Sequence, residues 1–304
     1  MNAKLNGIII LSIVLSLLVI IPTGFAAEDN LALADEDLVI DQSFDEDIIS
    51  DYSDNNLNAN EGNEIISEEE PRNEIYFDAN ALDDDGDGSI GNPYKTFSND
   101  RVAKGSILHF ASGIYNYTSD FHDNNRNIAI YGQDSLNTII NGVGENNWFN
   151  FSGTFNIKNI TFNNLQLVSQ GDNSLLNASN VNFYNGTAAI NDNSGTSCGG
   201  AIYSLQQNNT VILDNCKFFN NYALYGGAIF TANTDLKITN CQFINNTAKY
   251  YGGAIYQLYG NLSLTSSAFD KNNANDGGAV FIFTKNGFLI ESNNFTNNIA
   301  NSSA

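Results

Sequence analysis

One short stretch of the chain has the spacing of a cation-binding loop. Asp83, Asp85 and Asp87 alternate within the segment DDDGDG, and Gly88 closes it. Carboxylate oxygens at alternating loop positions are ligands that Ca²⁺ accepts. The twelfth position of such a loop would be Tyr94, where a bidentate glutamate belongs. The segment leaves a calcium site and a plain acidic turn as interpretations, and the missing glutamate favours the turn.

The residues that could act as acids, bases or nucleophiles are scattered. Glycoside hydrolysis needs a pair of facing carboxylates, but neither His109 nor His122 has an obvious partner carboxylate in the sequence. The lysines and aspartates of the C-terminal half share no common offset: Lys217, Lys237, Lys249, Lys271, Lys285, Asp214, Asp235, Asp270 and Asp276. The sequence therefore assigns no catalytic and no cofactor-binding residue, and it predicts a protein that is not an enzyme.

A repeated glycine pair indicates the framework that would position such residues. Glycine weakens strands and helices by roughly 0.5–1 kcal/mol, yet Gly-Gly-Ala-Ile/Val occurs four times at spacings of 27, 26 and 25 residues. We expect each pair to form a corner, where one or both glycines adopt a positive φ or lie close to the next turn of the chain. The pairs are Gly199-Gly200, Gly226-Gly227, Gly252-Gly253 and Gly277-Gly278.

A second periodic signal runs through the same region. Phenylalanines recur at spacings of 25, 26 and 26 residues, with apolar residues seven and five positions before each and an asparagine three positions after. Phe162 and Phe183 continue the pattern upstream. Units of this length cannot bury a core alone, so we expect coils stacked about 4.8 Å apart in an all-β parallel solenoid. The predicted internal ladders are Phe218, Phe243, Phe269 and Phe295, and Asn221, Asn246, Asn272 and Asn298.

Two further columns follow from this alignment. Cys216 and Cys241 lie one coil apart at the same position, two residues before their phenylalanines. They could stack as small apolar side chains or form a disulfide in an exported protein, and the sequence leaves both open. The aromatic residues just after the glycine pairs are predicted to be core rather than a sugar-stacking stripe: Tyr203, Phe230, Tyr256 and Phe281.

The pairing of Gly-Gly-Ala-Ile/Val with Phe-x-x-Asn resembles the repeat of polymorphic outer-membrane proteins, and equally the adhesin-like surface proteins of methanogenic archaea. The stretch IYFDANALDDDGDGSIGNPYKTF resembles the opening of pectate-lyase-like β-helix domains. Together the similarities reach from Glu74 to the end of the chain. They imply a right-handed parallel β-helix at a cell surface, with a role in adhesion or envelope structure. We expect the repeat region to be incomplete at its C-terminus.

The remaining sequence divides the chain into four parts. Residues 1–26 are predicted to be a signal peptide, since the 14-residue apolar run Ile8 to Ile21 is shorter than the ~20 residues of a spanning helix. An uncleaved membrane anchor is the alternative. Residues 27–73 are predicted to be a disordered acidic spacer. Residues 74–142 would form the N-terminal cap and first coils, and residues 143–304 the repeat coils.

Charge and glycosylation motifs indicate where the protein acts. The net charge is −22, and the segment from Glu28 to Glu70 holds 16 acidic residues and no basic one. Nucleic-acid binding is excluded because it rests on clustered Lys and Arg. Ten Asn-x-Ser/Thr sequons fit an extracellular or cell-surface location: Asn116, Asn150, Asn159, Asn177, Asn185, Asn208, Asn245, Asn261, Asn294 and Asn301.

The sequence therefore predicts an exported, adhesin-like protein without catalytic activity. Its expected partners are glycans, surface proteins of other cells, or envelope components. A polysaccharide-active lyase or hydrolase and a purely structural envelope protein are the alternatives.

Overall fold

The computed structural model describes residues 73–118, 121–122, 127–144, 147–188, 197–284 and 287–302. The predicted signal peptide, and the predicted acidic spacer up to residue 72, lie outside the described residues. Residues 71–304 form one compact unit. Among the described residues, no helix has both the length and the apolar character needed to cross a membrane.

The described residues in the first part of this unit form ten strands and a single-turn 3-10 helix at Asn99–Arg101. Short apolar runs separated by Gly, Asn and Asp turns are typical of such strands. The strands are β1 Glu74–Phe77, β2 Ile107–Phe110, β3 Gly113–Tyr117, β4 Phe121–His122, β5 Ala129–Gly132, β6 Thr138–Gly142, β7 Trp148–Phe151, β8 Thr154–Asn163, β9 Gln166–Ser169 and β10 Leu175–Tyr184.

The repeat region adds strands that recur in the same order in each coil. They are β11 Ile202–Ser204, β12 Asn209–Asp214, β13 Lys217–Phe219, β14 Tyr222–Tyr225, β15 Ile229–Ala232, β16 Thr234–Thr239, β17 Gln242–Ile244, β18 Thr247–Tyr251, β19 Ile255–Leu258, β20 Leu262–Thr265, β21 Ala268–Asp270, β22 Asn273–Ala274, β23 Val280–Phe283, β24 Phe288–Glu291, β25 Asn294–Thr296 and β26 Ile299–Ala300.

These strands form three parallel sheets of fifteen, seven and four strands in the described part of the chain. Within each sheet, a strand pairs with its equivalent one coil away, so β12 pairs with β16, and β16 with β20. The largest sheet bends through the long strands β8 and β10, whose two halves pair with different partners. The prediction of an all-β protein with stacked parallel coils is confirmed, while the right-handed sense of the coil stays a prediction.

The phenylalanines pair in the register that the repeat predicts. Phe183 pairs with Phe218, Phe218 with Phe243, and Phe243 with Phe269. Their rings stack with centroids 4.6–4.8 Å apart and interplanar angles of 3–9°. These four side chains are fully buried, and each contributes about 1.5–3 kcal/mol to the stability of the coil stack.

The solenoid interior is closed at its N-terminal end and open in its last described coil. Phe97 comes from the loop between β1 and β2, and it packs edge-on against Phe77 and Phe110. At the other end, the ladder residue Phe295 keeps its register with Phe269 but is 46% exposed. Its ring stacks on that of Phe269 with the centroids 4.8 Å apart, so Phe295 continues the phenylalanine ladder in the last described coil.

Each complete repeat coil turns at four corners, and each corner holds one residue with positive φ. In the coil after β15 these residues are Asn233, Asn240, Asn245 and Gly252, with φ values of 52°, 55°, 56° and 65°. Asparagine tolerates this conformation better than other residues with a side chain. Three corners of this coil are therefore asparagine and one is glycine, whereas the next coil has Tyr259, Ser266 and Lys271 at the three equivalent corners.

Candidate functional site

The glycine pair forms the fourth corner of each repeat coil, and its two glycines have different roles. Gly226 adopts φ +61°, a conformation that strains any residue with a side chain. At Gly227, a Cβ atom would collide with the carbonyl oxygen of Gly253 in the next coil. The first glycine therefore allows the turn, and the second allows the close approach of two coils. Gly199-Gly200, Gly252-Gly253 and Gly277-Gly278 repeat this arrangement.

This corner brings together aromatic residues on the outside of the solenoid. Along β15, Ile229 packs into the solenoid interior, whereas its neighbour Phe230 belongs to a separate cluster of buried residues. Tyr225 precedes the same glycine pair, and its ring lies 6.0 Å from that of Tyr256 in the next coil. We call the following residues the outer aromatic cluster: Tyr203, Tyr225, Phe230, Tyr251, Tyr256 and Phe281.

The aromatic residues predicted to be core are buried at three of four positions, in a second core cluster that is separate from the solenoid interior. Tyr203, Phe230 and Tyr256 are only 3–6% exposed, but they lie outside the solenoid interior and not within it. Their ring faces contact one another: Tyr203 stacks on Phe230, and Tyr256 meets Phe230 and Phe281 edge-on. Because these faces are occupied, a sugar cannot stack on the column as it stands.

A ligand can instead contact the half-buried rim of this cluster. Tyr225, Tyr251 and Phe281 are partly exposed, and Tyr250 packs against Tyr225 with the rings 5.1 Å apart. The Lys249 ammonium lies 5.0 Å from the centre of the Tyr250 ring. Burial raises the pKa of Tyr225 to about 12, so its hydroxyl group stays neutral and can exchange hydrogen bonds with a neutral partner. We call Tyr225, Lys249, Tyr250, Tyr251 and Phe281 the aromatic rim.

The predicted asparagine ladder forms a hydrogen-bonded column inside the coils. The Asn246 side chain accepts from the backbone N–H of Asn221 at 3.1 Å and from the Asn221 amide at 2.9 Å. Its own amide donates to Asn272 at 2.9 Å and to the Phe218 carbonyl at 3.0 Å. Asn221, Asn246 and Asn272 are buried, and Asn298 continues the column in the last described coil. These residues satisfy backbone groups at a corner and are not available to a ligand.

The structure does not bring Asp83, Asp85 and Asp87 together as a metal site. No group of three or more His, Cys, Asp or Glu side chains that could hold a metal ion occurs among the described residues, which include this loop. Asp83 accepts from the backbone N–H of Asp85, and Asp87 from that of Ser89. These are the local hydrogen bonds of an acidic turn.

The aspartate with the most partners in that loop is one that the sequence analysis passed over. Asp84 accepts two hydrogen bonds from the Arg101 guanidinium, at 2.8 and 2.9 Å, and one from the Thr96 hydroxyl at 2.5 Å. The Arg101 guanidinium also lies 4.2 Å above the Tyr94 ring. The hydrogen bonds from Arg101, together with those from Thr96, hold the pKa of Asp84 well below its ordinary value. These hydrogen bonds hold the part of the N-terminal loop that contains Asp84 against the part that contains Thr96 and Arg101.

The structure shows all three cysteines as free, buried thiols. Cys216 and Cys241 stack in neighbouring coils, and the backbone N–H of Cys216 lies 3.4 Å from the Cys241 sulfur. Burial is the main cause that raises the pKa of Cys216 well above its ordinary value. Cys198 lies in the cluster outside the solenoid interior, where burial raises its pKa to about 12. Neither Cys216 nor Cys198 is poised as a nucleophile, because nucleophilic attack requires the thiolate.

His109 has a carboxylate neighbour that the sequence did not reveal. The parallel pairing of β1 with β2 places Glu74 near His109, with Oε2 and Nε2 3.9 Å apart. Tyr76 stacks on the imidazole at 4.6 Å, and Tyr131 approaches it edge-on at 5.9 Å. Glu74 and His109 are separated by 35 positions, so only the strand register could have identified the pair. For His122, the structure gives only its position in β4, where it pairs with Asn150 of β7.

Rows of asparagine side chains run along the outer corners of the solenoid. The amide of Asn185 donates to Asn163 at 2.8 Å, and Asn163 donates to Asn141 at 2.7 Å. The repeat predicts the inner asparagines but not these outer ones. The available signal was the doublet Asn-Asn at 220–221, 245–246 and 297–298, in which the first residue forms the corner and the second enters the coil.

One comparison with known proteins gives a match. Residues 240–257 match the model of the Chlamydia polymorphic membrane protein repeat. This segment contains Phe243, Asn246 and the Gly252-Gly253 corner, so the match falls on one coil of the solenoid. No curated protein and no solved structure shows significant similarity to the chain. The match supports a repeat protein of the surface or autotransporter type and leaves the ligand open.

Proposed function

We propose that this chain is an exported, adhesin-like protein of the cell surface that binds glycans through the aromatic rim and has no catalytic activity. The observation that carries the proposal is the position of that rim. Half-buried tyrosines are held on the outside of the solenoid by a glycine corner that recurs in each repeat coil. The match to a membrane-protein repeat supports the location.

The rim suits neutral glycans better than acidic ones. Its titratable residues are three tyrosines and one lysine, and next to it Asp276 continues the Tyr225–Tyr251 column. Residues 71–304 contain 18 acidic and 11 basic residues, a net charge of −7, which repels polyanions. Tyrosine offers an apolar ring edge and a hydroxyl group, the combination that a sugar with CH and OH groups requires. The other partners that we propose for the aromatic rim are surface proteins of other cells and envelope components.

A glycan array probed with the full-length chain tests this proposal. We expect binding to neutral glycans, and a loss of at least ten-fold in apparent affinity for Tyr250→Ala. Tyr184→Ala is the matched control, because Tyr184 is also partly buried but packs against Phe219 on another part of the solenoid. Equal loss in both variants would contradict the assignment of the rim. Protease treatment of intact cells tests the location, and surface exposure without glycan binding would favour a structural envelope role.

One observation favours a polysaccharide-active enzyme as the second candidate. Glu74, His109, Tyr76 and Tyr131 adjoin on one outer sheet face, and Lys158 lies 5.9 Å from the Tyr131 ring. Such a group could move protons. Incubation of the chain with acidic and neutral polysaccharides, with and without Ca²⁺, tests this function. Release of reducing or unsaturated ends that is lost in His109→Gln would replace the adhesin proposal.

A further inference from the structure

The ten sequons differ in the exposure and the hydrogen bonding of the asparagine amide nitrogen that would carry a glycan. N-glycosylation joins this nitrogen, Nδ2, to C1 of a sugar and replaces one of its two hydrogens. A sequon is therefore usable in the folded protein only where Nδ2 faces solvent and is not already bound to a neighbour. The hydrogen bonds of the outer corners allow the ten sites to be sorted on this basis.

Most of the sequons belong to the structural rows. Five asparagines donate through Nδ2 to a neighbouring coil, and two of these bonds, from Asn185 to Asn163 and from Asn245 to Asn220, are 2.8 and 2.5 Å long. A sugar on such a nitrogen would crowd the adjacent coil. Asn150 is buried, and Asn159 is half-buried. The five donors are Asn177, Asn185, Asn208, Asn245 and Asn301.

Three sequons remain, at Asn116, Asn261 and Asn294. All three asparagines are exposed. Asn116 is the first residue of an outer row: its Oδ1 accepts a hydrogen bond from Asn141 at 3.0 Å, and its Nδ2 donates no hydrogen bond within the described residues. Asn261 donates to Asp235 through its backbone N–H and not through its side chain. Asn294 lies in β25 next to the exposed Phe295.

We infer that Asn116, Asn261 and Asn294 are the N-glycan attachment sites of this protein. The inference goes beyond glycan binding and rests only on the export part of the proposed function. In the reaction, Nδ2 attacks C1 of a lipid-pyrophosphate-linked oligosaccharide. The N–C1 bond forms, the bond between C1 and the phosphate oxygen breaks, the lipid pyrophosphate leaves and the amide loses one proton. No electron transfer is involved.

Occupancy at each site is measurable by mass spectrometry of glycopeptides. The full chain is produced in a host that exports proteins and N-glycosylates them, and the secreted or surface-bound form is analysed. We expect at least ten-fold higher occupancy at Asn116, Asn261 and Asn294 than at Asn185 and Asn245. Comparable or higher occupancy at the two row asparagines would overturn the assignment. So would a correctly exported chain without any glycan.

Variants at the hydroxyl position of the sequon keep the test independent of folding. Thr118→Ala, Ser263→Ala and Thr296→Ala remove the three motifs but retain the asparagines, and we expect them together to abolish the glycan mass. Thr187→Ala and Thr247→Ala, which remove the Asn185 and Asn245 motifs, are the matched controls and should leave the mass unchanged. A change of mass in the controls alone contradicts the inference.

A second reaction separates this inference from the export proposal. Purified, folded full-length chain is incubated with an oligosaccharyltransferase and a lipid-linked oligosaccharide. We expect transfer to the same three sites. Failure of export in cells with site-selective transfer in this reaction would count against the proposed function and leave the three sites supported. Transfer to the row asparagines of the folded chain would count against the sites themselves.

Discussion

Two columns of aromatic rings run along this solenoid, one inside the coils and one outside, and they are packed in different ways. The inner rings of Phe218, Phe243 and Phe269 lie 4.6–4.7 Å apart and within 3° of parallel. The outer rings of Tyr203, Phe230 and Tyr256 lie 5.4–5.6 Å apart at angles of 20° and 78°. The same coil spacing therefore gives strict stacking in one column and mixed orientations in the other.

The difference follows from how many sides of each ring are constrained. An inner ring is enclosed by its own coil and by the coils above and below, so only one orientation fills the space. An outer ring such as that of Phe230 is also buried, but it packs in a smaller cluster whose members Tyr251 and Phe281 are partly exposed. The inner positions accordingly keep one residue type in four successive coils, whereas the outer positions alternate between Tyr and Phe. The inner column supplies rigidity, and the outer one supplies a surface.

The largest effect is expected at the corner that connects the two columns. In Gly227→Val, the side chain must displace the Gly253 backbone of the next coil, so we expect a loss of about 4 kcal/mol or more in the free energy of unfolding. Chemical denaturation of the full chain measures it. Gly91→Val is the matched control, because a Cβ there meets no atom within 4 Å. Similar stability of Gly227→Val and the wild type would contradict the close approach.

Truncation of one ring in each column tests the contrast directly. Phe243→Ala should cost about 4 kcal/mol, since it leaves a cavity that the enclosed coils cannot fill. Phe230→Ala should cost about 3 kcal/mol, because neighbouring rings of the outer aromatic cluster can move into part of the space. Thermal and denaturant unfolding of both variants gives the comparison. If the outer truncation costs as much as the inner one, the two columns are equally rigid and our explanation is wrong.

The asparagine doublet permits the same test with polar side chains. Asn246→Ala removes the buried acceptor for the backbone N–H and the side-chain amide of Asn221, together with one donor to the Phe218 carbonyl, so we expect a loss of about 3 kcal/mol. Asn245→Ala places alanine at φ 56° and should cost about 1 kcal/mol. Asn245→Gly, which accepts that φ, is the control and should be close to neutral. A larger loss for Asn245→Ala than for Asn246→Ala would reverse the assignment of the inner and outer residues.

A smaller, pH-dependent effect is expected at the N-terminal loop. Because the Asp84 carboxyl has a depressed pKa in the folded protein, its stabilisation is complete above the ordinary aspartate value of about 3.9 and is lost as the pH falls below it. We expect Asp84→Asn to be less stable than the wild type at pH 7. Melting temperatures between pH 5 and pH 2.5 should also decline less in the variant. Parallel curves for the two proteins would contradict this role.

The smallest effect is expected for thiol labelling of the folded chain. Burial raises the pKa of Cys216 inside the coils and that of Cys198 outside them. We therefore expect no labelling by iodoacetamide at pH 8 in either column, and three labelled thiols per chain in guanidinium chloride. Only one labelled thiol after unfolding would show that Cys216 and Cys241 form a disulfide. Rapid labelling of Cys198 in the folded chain would show that the outer aromatic cluster opens readily.

Much of the fold was predictable because residues one repeat apart in the sequence lie next to each other in adjacent coils. Once Phe218 and Phe243 are aligned, the registers of β12 with β16 and of β13 with β17 follow. The register of β14 with β18 shifts by one residue between Ala223 and Tyr225, just before the glycine corner. Pairs outside the repeat had no such guide. Asp84 and Arg101 meet through an irregular loop, and Glu74 meets His109 through a register that no periodic pattern reports. The repeat predicted that aromatic residues of the candidate site form a column, but it did not predict which of them are partly exposed at the aromatic rim.

The sequence by itself determined that the chain stacks in coils, where the coils begin, and which residues line their interior. The reason is that apolar residues repeated at a fixed period are buried together when successive repeats stack. The tertiary structure decided which side of the sheet each remaining residue occupies. Phe230 and Ile229 are adjacent and both apolar, yet one faces the interior and the other the outside. Likewise, the structure separated three sequons with a free amide nitrogen from those that hold neighbouring coils together, because hydrogen bonding between coils depends on three-dimensional position and not on the motif.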